Sequence, residues 1–434
     1  MIRRSFGRLR LALTDRLPEG TLSIGIGLAI SGLAAYAFIT VSSRDLGANS
    51  YSPVALLWAL SFLFGIGFYI PLEQETARIV ASRASQGLGS SSVVRAAALL
   101  GCLMALVLGL VALAIAPWAI DGFFDGEVLL FVGLIMVVFG LGAAHLARGL
   151  LAGLGRFEAY GRYFVGEGVG RLLLLLIVIV AWDSVGPYGL AIGLAPVIGL
   201  GAALIGQRDL LTPGPTAHLG DLSRALGSLL VASLATAFML NVSPLAVAFL
   251  ADASQSDEPG RFLNALLIAR IPLFFFQAVQ AALLPKLSGL AGSSAYDELW
   301  HVLRRLLGFV AVLGGTAVII AWMLGPTVVK LAFGGDFAVT SRDMGLLAAS
   351  SAVLMVALSL AQGLIACQAQ GQMALAWLAG VVAFPIAIAF GEDLFLRVEV
   401  GLVVSVSVTA VAMAVLLRHR LHYGGIRVQP TSPN

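Results

Sequence analysis

Residues 160–182 read YGRYFVGEGVGRLLLLLIVIVAW. A helix crosses the hydrocarbon of a bilayer with about 20 mostly apolar residues, and this run has that length. Its second half, Leu172–Val180, carries no polar side chain. Its first half holds Glu167 and Arg171, four residues apart and so on one face of a helix. From Arg171 to Asp183, where charge resumes, the helix rises about 18 Å. That puts the guanidinium near the middle of a membrane, too deep to snorkel out easily. Two readings of the pair stand side by side. It is an internal ion pair that braces the fold, or a group that meets a substrate, with Glu167 titrating in a coupling cycle.

The rest of the chain has the same character. Of its 434 residues, 59% are hydrophobic and 11% charged, against roughly 25% charged in an ordinary soluble domain. No soluble fold of this length hides so much apolar surface, so lipid is the solvent for much of it. Many of the 50 glycines sit inside apolar runs, as in membrane helices that approach closely. Runs of spanning length cover 20–42, 50–72, 90–117, 128–147, 160–182, 185–206, 225–251, 262–285, 301–324, 343–366, 372–391 and 397–417. The first is longer than the about 7–15 apolar residues of a cleavable signal and reads as a retained helix.

Lysine and arginine orient these runs. With the N-terminus inside, 19 of the 26 basic residues fall on cytoplasmic segments. Arg44, Arg261, Lys330, Arg342 and Arg397 fall outside, and Arg171 and Arg270 within spans. The expected layout is a cytoplasmic tail 1–19, a first lobe 20–206, a cytoplasmic linker 207–224, a second lobe 225–417 and a cytoplasmic tail 418–434. Residues 73–89 read as an interfacial helix or a solvated connector.

The two lobes repeat one another. Pro71 ends the second run and Pro285 the eighth, 214 residues later, while Gly155 and Gly371 follow the fourth and tenth runs, 216 apart. Six helices per half is an even number, so both halves enter from the same side. The expected fold is an all-α integral membrane protein of about twelve transmembrane helices. They form two six-helix lobes related by a parallel pseudo-two-fold repeat, with both termini cytoplasmic.

Ionisable groups deep in a membrane face a cavity or a partner. Arg270, in the eighth run, has no acidic residue within a helical turn. A water-filled cavity lined by Arg270 is favoured over a buried structural pair, with Gln277 close to the same face. Asn241, His145 and Gln362 read as helix-to-helix hydrogen-bonding groups. Pro71, Pro244 and Pro285 mark kinks or hinges. Cys102 and Cys367 are too few for a disulfide framework or metal site. No nucleophile elbow, metal-ligand spacing or phosphate-cradling glycine loop is found, so neither an enzyme nor a cofactor is expected. The sequence pI of about 9.0 comes without basic runs interleaved with aromatics, which gives no case for nucleic acid.

Several stretches resemble the MOP superfamily of exporters, particularly its polysaccharide (O-antigen-type) flippases. They are Arg270-Ile271-Pro272-Leu273-Phe274-Phe275 running on to Leu283-Leu284-Pro285-Lys286, Gly153-Leu154-Gly155-Arg156-Phe157-Glu158 followed by Glu167 and Arg171, and Phe333-Gly334-Gly335-Asp336-Phe337. The resemblance covers the whole chain. It implies a bacterial cytoplasmic-membrane transporter that moves a polyprenyl-diphosphate-linked oligosaccharide from the inner to the outer leaflet by alternating access. The anionic diphosphate would pass a cationic cavity of Arg270, Arg171 and Gln277, and the partners would be membrane lipid and polysaccharide-assembly enzymes. Lipid II flippases resemble the chain in their lobes but typically have two further helices, which are not read after residue 417. Multidrug (MATE) exporters often carry an acidic coupling residue in the first helices, and Thr21 to Ser43 contains none. A cation-coupled drug antiporter, a lipid II flippase and a non-transporting membrane scaffold for sugar enzymes are the alternatives.

Overall fold

The computed structural model describes residues 21–216 and 219–424. Its helices are α1 (Thr21–Phe64), a π-helical stretch Gly65–Tyr69, α2 (Ile70–Ser85), α3 (Ser91–Ala114), a short α4 (Ala116–Phe123), α5 (Val128–Gly153), α6 (Phe157–Ala181) and α7 (Gly186–Leu204). Then follow α8 (Leu219–Leu250), α9 (Glu258–Ala269), α10 (Ile271–Gly292), α11 (Tyr296–Phe333), α12 (Ser341–Ala366), α13 (Gln370–Ile388) and α14 (Leu394–Gly424). No strand occurs among the described residues.

Among the described residues ten helices are long and apolar enough to cross a membrane, and the first of them covers two of the twelve expected runs. The first two expected runs are fused into one element of 64 residues, Leu22–Ser85. At 1.5 Å per residue that is about three times the thickness of a hydrocarbon core. The element is broken at Gly47, whose φ of 69° and ψ of 170° suit a residue with no Cβ. The eighth expected run, 262–285, is split at Arg270 between α9 and α10. Pro272 supplies no N–H and its ring crowds the carbonyl four residues back, so Arg270 caps one helix and opens the next.

Two compact units result. Of the described residues, one comprises those up to Leu46 and from Leu56 to Leu234, and the other Gly47–Ala55 and those from Ala235 on. Within the segment 207–224, expected as a linker, residues 210–215 are tied to the turn between α2 and α3. Ser90 Oγ donates to Leu210 O at 2.7 Å, the Ser91 amide to Thr212 O at 3.0 Å and Ser92 Oγ to Pro215 O at 2.7 Å. Arg83 donates to both Gly89 O and Pro215 O. α2 continues the second run, with Glu73, Glu75, Thr76 and Val80 buried.

In the first unit α5 is central, with α2, α3 and α7 packed on it and α6 packed on α7. α2 can come so close because α5 presents glycine to it. A Cβ on Gly149 would lie 2.6 Å from Glu73 O, and one on Gly153 would lie 2.7 Å from Val80 Cβ. In the second unit α12 has the central place, with α11 and α14 packed on it and α13 on α14. α5 and α12 each have 26 residues, and their ends are 213 positions apart. The turns that follow are alike. The Arg156 amide donates to Leu151 O and the Ala369 amide to Leu364 O, both at 2.8 Å. The left-handed residue is Gly155 in one turn and Gln368 in the other. The counterpart of Gly155 is therefore Gln368, not Gly371, which lies in the first turn of α13. On the outside, Leu99, Leu103, Leu106 and Leu110 of α3 and Phe309, Val312, Ile319 and Trp322 of α11 are exposed, the surface expected where lipid is the solvent.

Candidate functional site

Besides the Glu75–Arg78 pair on α2, the first unit holds buried charge in two places that involve α6. Glu167 and Arg171 pair as the spacing predicts, with Nη2 to Oε1 at 2.7 Å and side chains 14% and 9% exposed. The Arg171 guanidinium carbon lies 5.1 Å from the Trp58 ring centroid. Its Nε–H is buried and has no hydrogen-bond partner.

The second place joins residues from three helices and was not read from the sequence. Glu73, two residues after Pro71 on α2, accepts from His145 Nδ1 at 2.7 Å and lies 3.1 Å from Arg148 Nη2, both on α5. Tyr160 of α6 donates its hydroxyl to Glu73 at 2.6 Å and accepts from Arg148 at 3.1 Å. Arg148 lies over the faces of Tyr160, Tyr163 and Phe164, at 5.3, 5.1 and 4.7 Å, geometry in which ring quadrupoles stabilise a desolvated cation. Its Nε–H, like that of Arg171, is buried and without a partner. His145, expected as a hydrogen-bonding group, is one, with Tyr69 stacked on it at 6.2 Å. Glu73 and Glu167 each engage one of these arginines, and among the described residues each arginine has a buried Nε–H without a hydrogen-bond partner.

Prolines set up two further contacts by freeing carbonyls. In the π-helical stretch Ile70 donates to Gly65 O, and the next donor in that register is Pro71, which has none. Ile66 O is taken instead by Ser233 Oγ at 3.0 Å. In the second unit Pro244 lies inside α8 and leaves Leu240 O without its helical donor. Arg270 Nη1 donates to that oxygen. Arg270 is half-buried and thus sits at a helix break, against a second helix that is itself distorted. Asn241 donates to Ala237 O at 3.0 Å. Gln277 lies on α10, and its side chain is outside the described residues, as is that of Pro285; α10 runs past Pro285 to Gly292. The structure thus brings Glu167 and Arg171 together in the first unit and puts Arg270 in the second.

Glu399 of α14 is the other group that sequence reading missed. It is 0% exposed, and neither carboxylate oxygen has a hydrogen-bond partner. Nearby lies a cavity of about 330 Å³ lined by Glu258, Arg261, Thr340, Arg342, Asp343 and Asp393 among others. The acids there are paired. Arg342 lies 3.0 Å from Asp343 and 3.3 Å from Asp393, and Arg261 lies 2.8 Å from Glu258. The Leu396 amide, aided by Arg342, holds the Asp393 carboxyl below its ordinary range, while burial pushes Glu258 up against the pull of Arg261. A lone acid inside the run 397–417 was the available signal for Glu399. Nothing in sequence spacing pointed to the Glu73 cluster, whose members lie up to 87 residues apart.

No family model matches the sequence. Among curated proteins, "Uncharacterized protein Rv3630" of Mycobacterium tuberculosis is 25% identical over 414 residues, 90% of this chain and 91% of its own. "Uncharacterized protein Rv1510" of the same organism is 26% identical over 423 residues, 94% of each. Among solved structures, an inward-facing multidrug resistance MATE family transporter of the MOP superfamily matches with a TM-score of 0.72 and 16% identity, over 95% of this chain and 100% of that one. An outward-facing structure of a MATE family transporter matches at 0.61 and 14%, over 94% and 97%. A MOP superfamily transporter from Pyrococcus furiosus, described as having a binding pocket of reverse polarity that suggests a different function, matches at 0.64 and 14%, over 93% and 96%. At such identities these matches speak to the fold alone. The chain is an all-helical, multi-pass membrane protein with the fold of MATE transporters.

Proposed function

We propose that the protein is an alternating-access transporter of the cytoplasmic membrane, oriented with both termini inside. Its cargo is a polyprenyl-diphosphate-linked oligosaccharide, carried from the inner to the outer leaflet for cell-surface polysaccharide synthesis. One observation carries the reading. In the first unit Arg148 and Arg171 are buried with an Nε–H lacking an acceptor, while Glu73 and Glu167 are each held by one of those arginines. Such a site offers a cation little and an anion two charge-assisted donors. A diphosphate cannot cross hydrocarbon unaided, and guanidinium is the side chain best matched to phosphate oxygens. Arg270 and Gln277 are the anion-binding candidates of the second unit. The fold supports a transporter, and a carrier of lipid-linked sugar is compatible with it. The test is to delete the gene and analyse lipid-linked glycans by leaflet. Accumulation of one glycan in the inner leaflet, reversed by the wild-type gene, is expected, and an unchanged distribution would rule the reading out.

A second reading, a cation-coupled MATE-type drug antiporter, fits the fold equally well and is favoured by Glu399, a buried carboxylate with no hydrogen-bond partner. It predicts that deletion sensitises cells to cationic drugs and leaves lipid-linked glycans unchanged.

A further inference from the structure

Glu399 stands apart from the other acids of the second unit. Asp343 is held by Arg342 and by the Thr340 amide at 2.9 Å, in a reciprocal cap at the start of α12. Asp393 accepts from the Leu396 amide at 2.8 Å as well as from Arg342. Glu258 has Arg261. Glu399 has neither an arginine nor an amide, and it is 0% exposed.

Among the described residues the elements packed on α14 supply no cation beyond Arg342. α14 is packed against α12 and α13. α13, Gln370–Ile388, contains no charged residue. α12 contributes Arg342 and Asp343, and the turn before α14 contributes Asp393; these are the charges Glu399 senses. They amount to two carboxylates against one guanidinium that both of them already engage. An ionised carboxylate held this way, without donors and beside two other anions, costs many times what a neutral carboxylic acid costs. Phe395, which lines the 330 Å³ cavity with Asp343, Asp393, Glu258 and Arg261, lies one helical turn before Glu399 on α14.

We propose that Glu399 is a proton-binding site of the second unit: a carboxylic acid that keeps its proton while buried and exchanges it with water through the cavity formed by α9, α12 and the turn before α14. The step is a proton transfer alone. One carboxylate oxygen gains a proton from water, or returns it, and no other bond changes. The proposal deepens the cation-coupled reading by naming the ion, and it holds whichever cargo is carried.

The experiment uses the purified full-length protein with no cargo present. Infrared difference spectra are recorded across a pH series for wild type and Glu399→Gln, together with thermal unfolding at each pH. The wild type is expected to show the C=O stretch of a protonated carboxylic acid, fading as pH rises, and Glu399→Gln to lose that band completely. The unfolded chain releases the Glu399 proton at ordinary carboxylate pH while the folded chain keeps it. Wild-type stability therefore falls with rising pH over that window, and Glu399→Gln, which resembles the neutral acid, removes that component of the slope. Identical spectra for the two proteins would overturn the proposal. So would a Glu399→Gln protein that cannot fold, because the ionised group would then be the one the fold needs. A missing band leaves coupling by another cation open, and absent drug export would leave the proton site standing.

Discussion

Replacing Arg171 by Gln, alone and together with Glu167→Gln, separates what the pair does for the fold from what it does for transport. Arg171 and Glu167 are 2.7 Å apart with side chains 9% and 14% exposed. Removing the guanidinium alone leaves a buried carboxylate with its partner gone, which costs about 3–5 kcal/mol. In the double variant both groups are neutral amides at positions i and i+4, able to hydrogen-bond to each other. What remains lost is the contact with Trp58, at 5.1 Å, worth about 0.5–2 kcal/mol. Arg171→Gln is therefore expected to be less stable than the double variant by about 2–3 kcal/mol. At about 2–4 °C per kcal/mol for a unit of this size, Arg171→Gln lowers the melting temperature by on the order of 10 °C and the double variant by only a few degrees. Thermal unfolding of the four proteins in one detergent measures this. A double variant as unstable as Arg171→Gln would refute the pairing argument. Export is then measured with the double variant, which is folded and present in the membrane. An anion site that uses the Arg171 guanidinium predicts loss of export, and wild-type export would reduce the pair to a brace.

Three further outcomes follow from particular contacts. Arg270→Ala frees Leu240 O at a cost of about 1.5–3 kcal/mol; it is expected to abolish export in cells while immunoblots show normal membrane abundance. Gly153→Ala puts a methyl group 2.7 Å from Val80 Cβ and 2.8 Å from Ala77 O, and the overpacking is expected to destabilise the first unit by about 1–3 kcal/mol in thermal unfolding. The Asp393 carboxyl is held below its ordinary range by the Leu396 amide and Arg342, so its contribution to stability is present above the ordinary carboxylate range and lost as pH falls through the folded-state value. Asp393→Asn is expected to flatten the acid limb of the wild-type stability profile.

Elements whose identity depends on apolar length were legible in the sequence. α5 and α12 lie where runs 128–147 and 343–366 put them, because a long stretch without charge has no other stable solvent. Their ends were not legible. α5 extends to Gly153 because Gly149 and Gly153 pack against α2, a contact between segments some 70 residues apart. The break at Arg270 had a local sign in Pro272, but a hydropathy window averages over a single missing N–H. The Gly155–Gly371 alignment followed residue identity, whereas the shared turn is a matter of backbone, and Gln368 adopts at φ 55° what Gly155 adopts at 68°. Among candidate site groups, Glu167 and Arg171 were readable because a helix brings i and i+4 together. Glu73, His145, Arg148 and Tyr160 were not, because tertiary packing alone brings them together. Glu399 was visible as a lone acid in an apolar run, but its lack of partners is a property of the packed unit.

The most direct test is leaflet transfer by the purified protein. Liposomes carrying a polyprenyl-diphosphate oligosaccharide on both leaflets are treated from outside with an enzyme that cleaves only exposed glycan. With wild-type protein the inner-leaflet pool is expected to become cleavable, and with the folded Glu167→Gln/Arg171→Gln protein to stay protected as in empty liposomes. An inner pool that stays protected with the wild-type protein, or is lost equally with both proteins, would contradict transport of the anionic headgroup by these buried arginines.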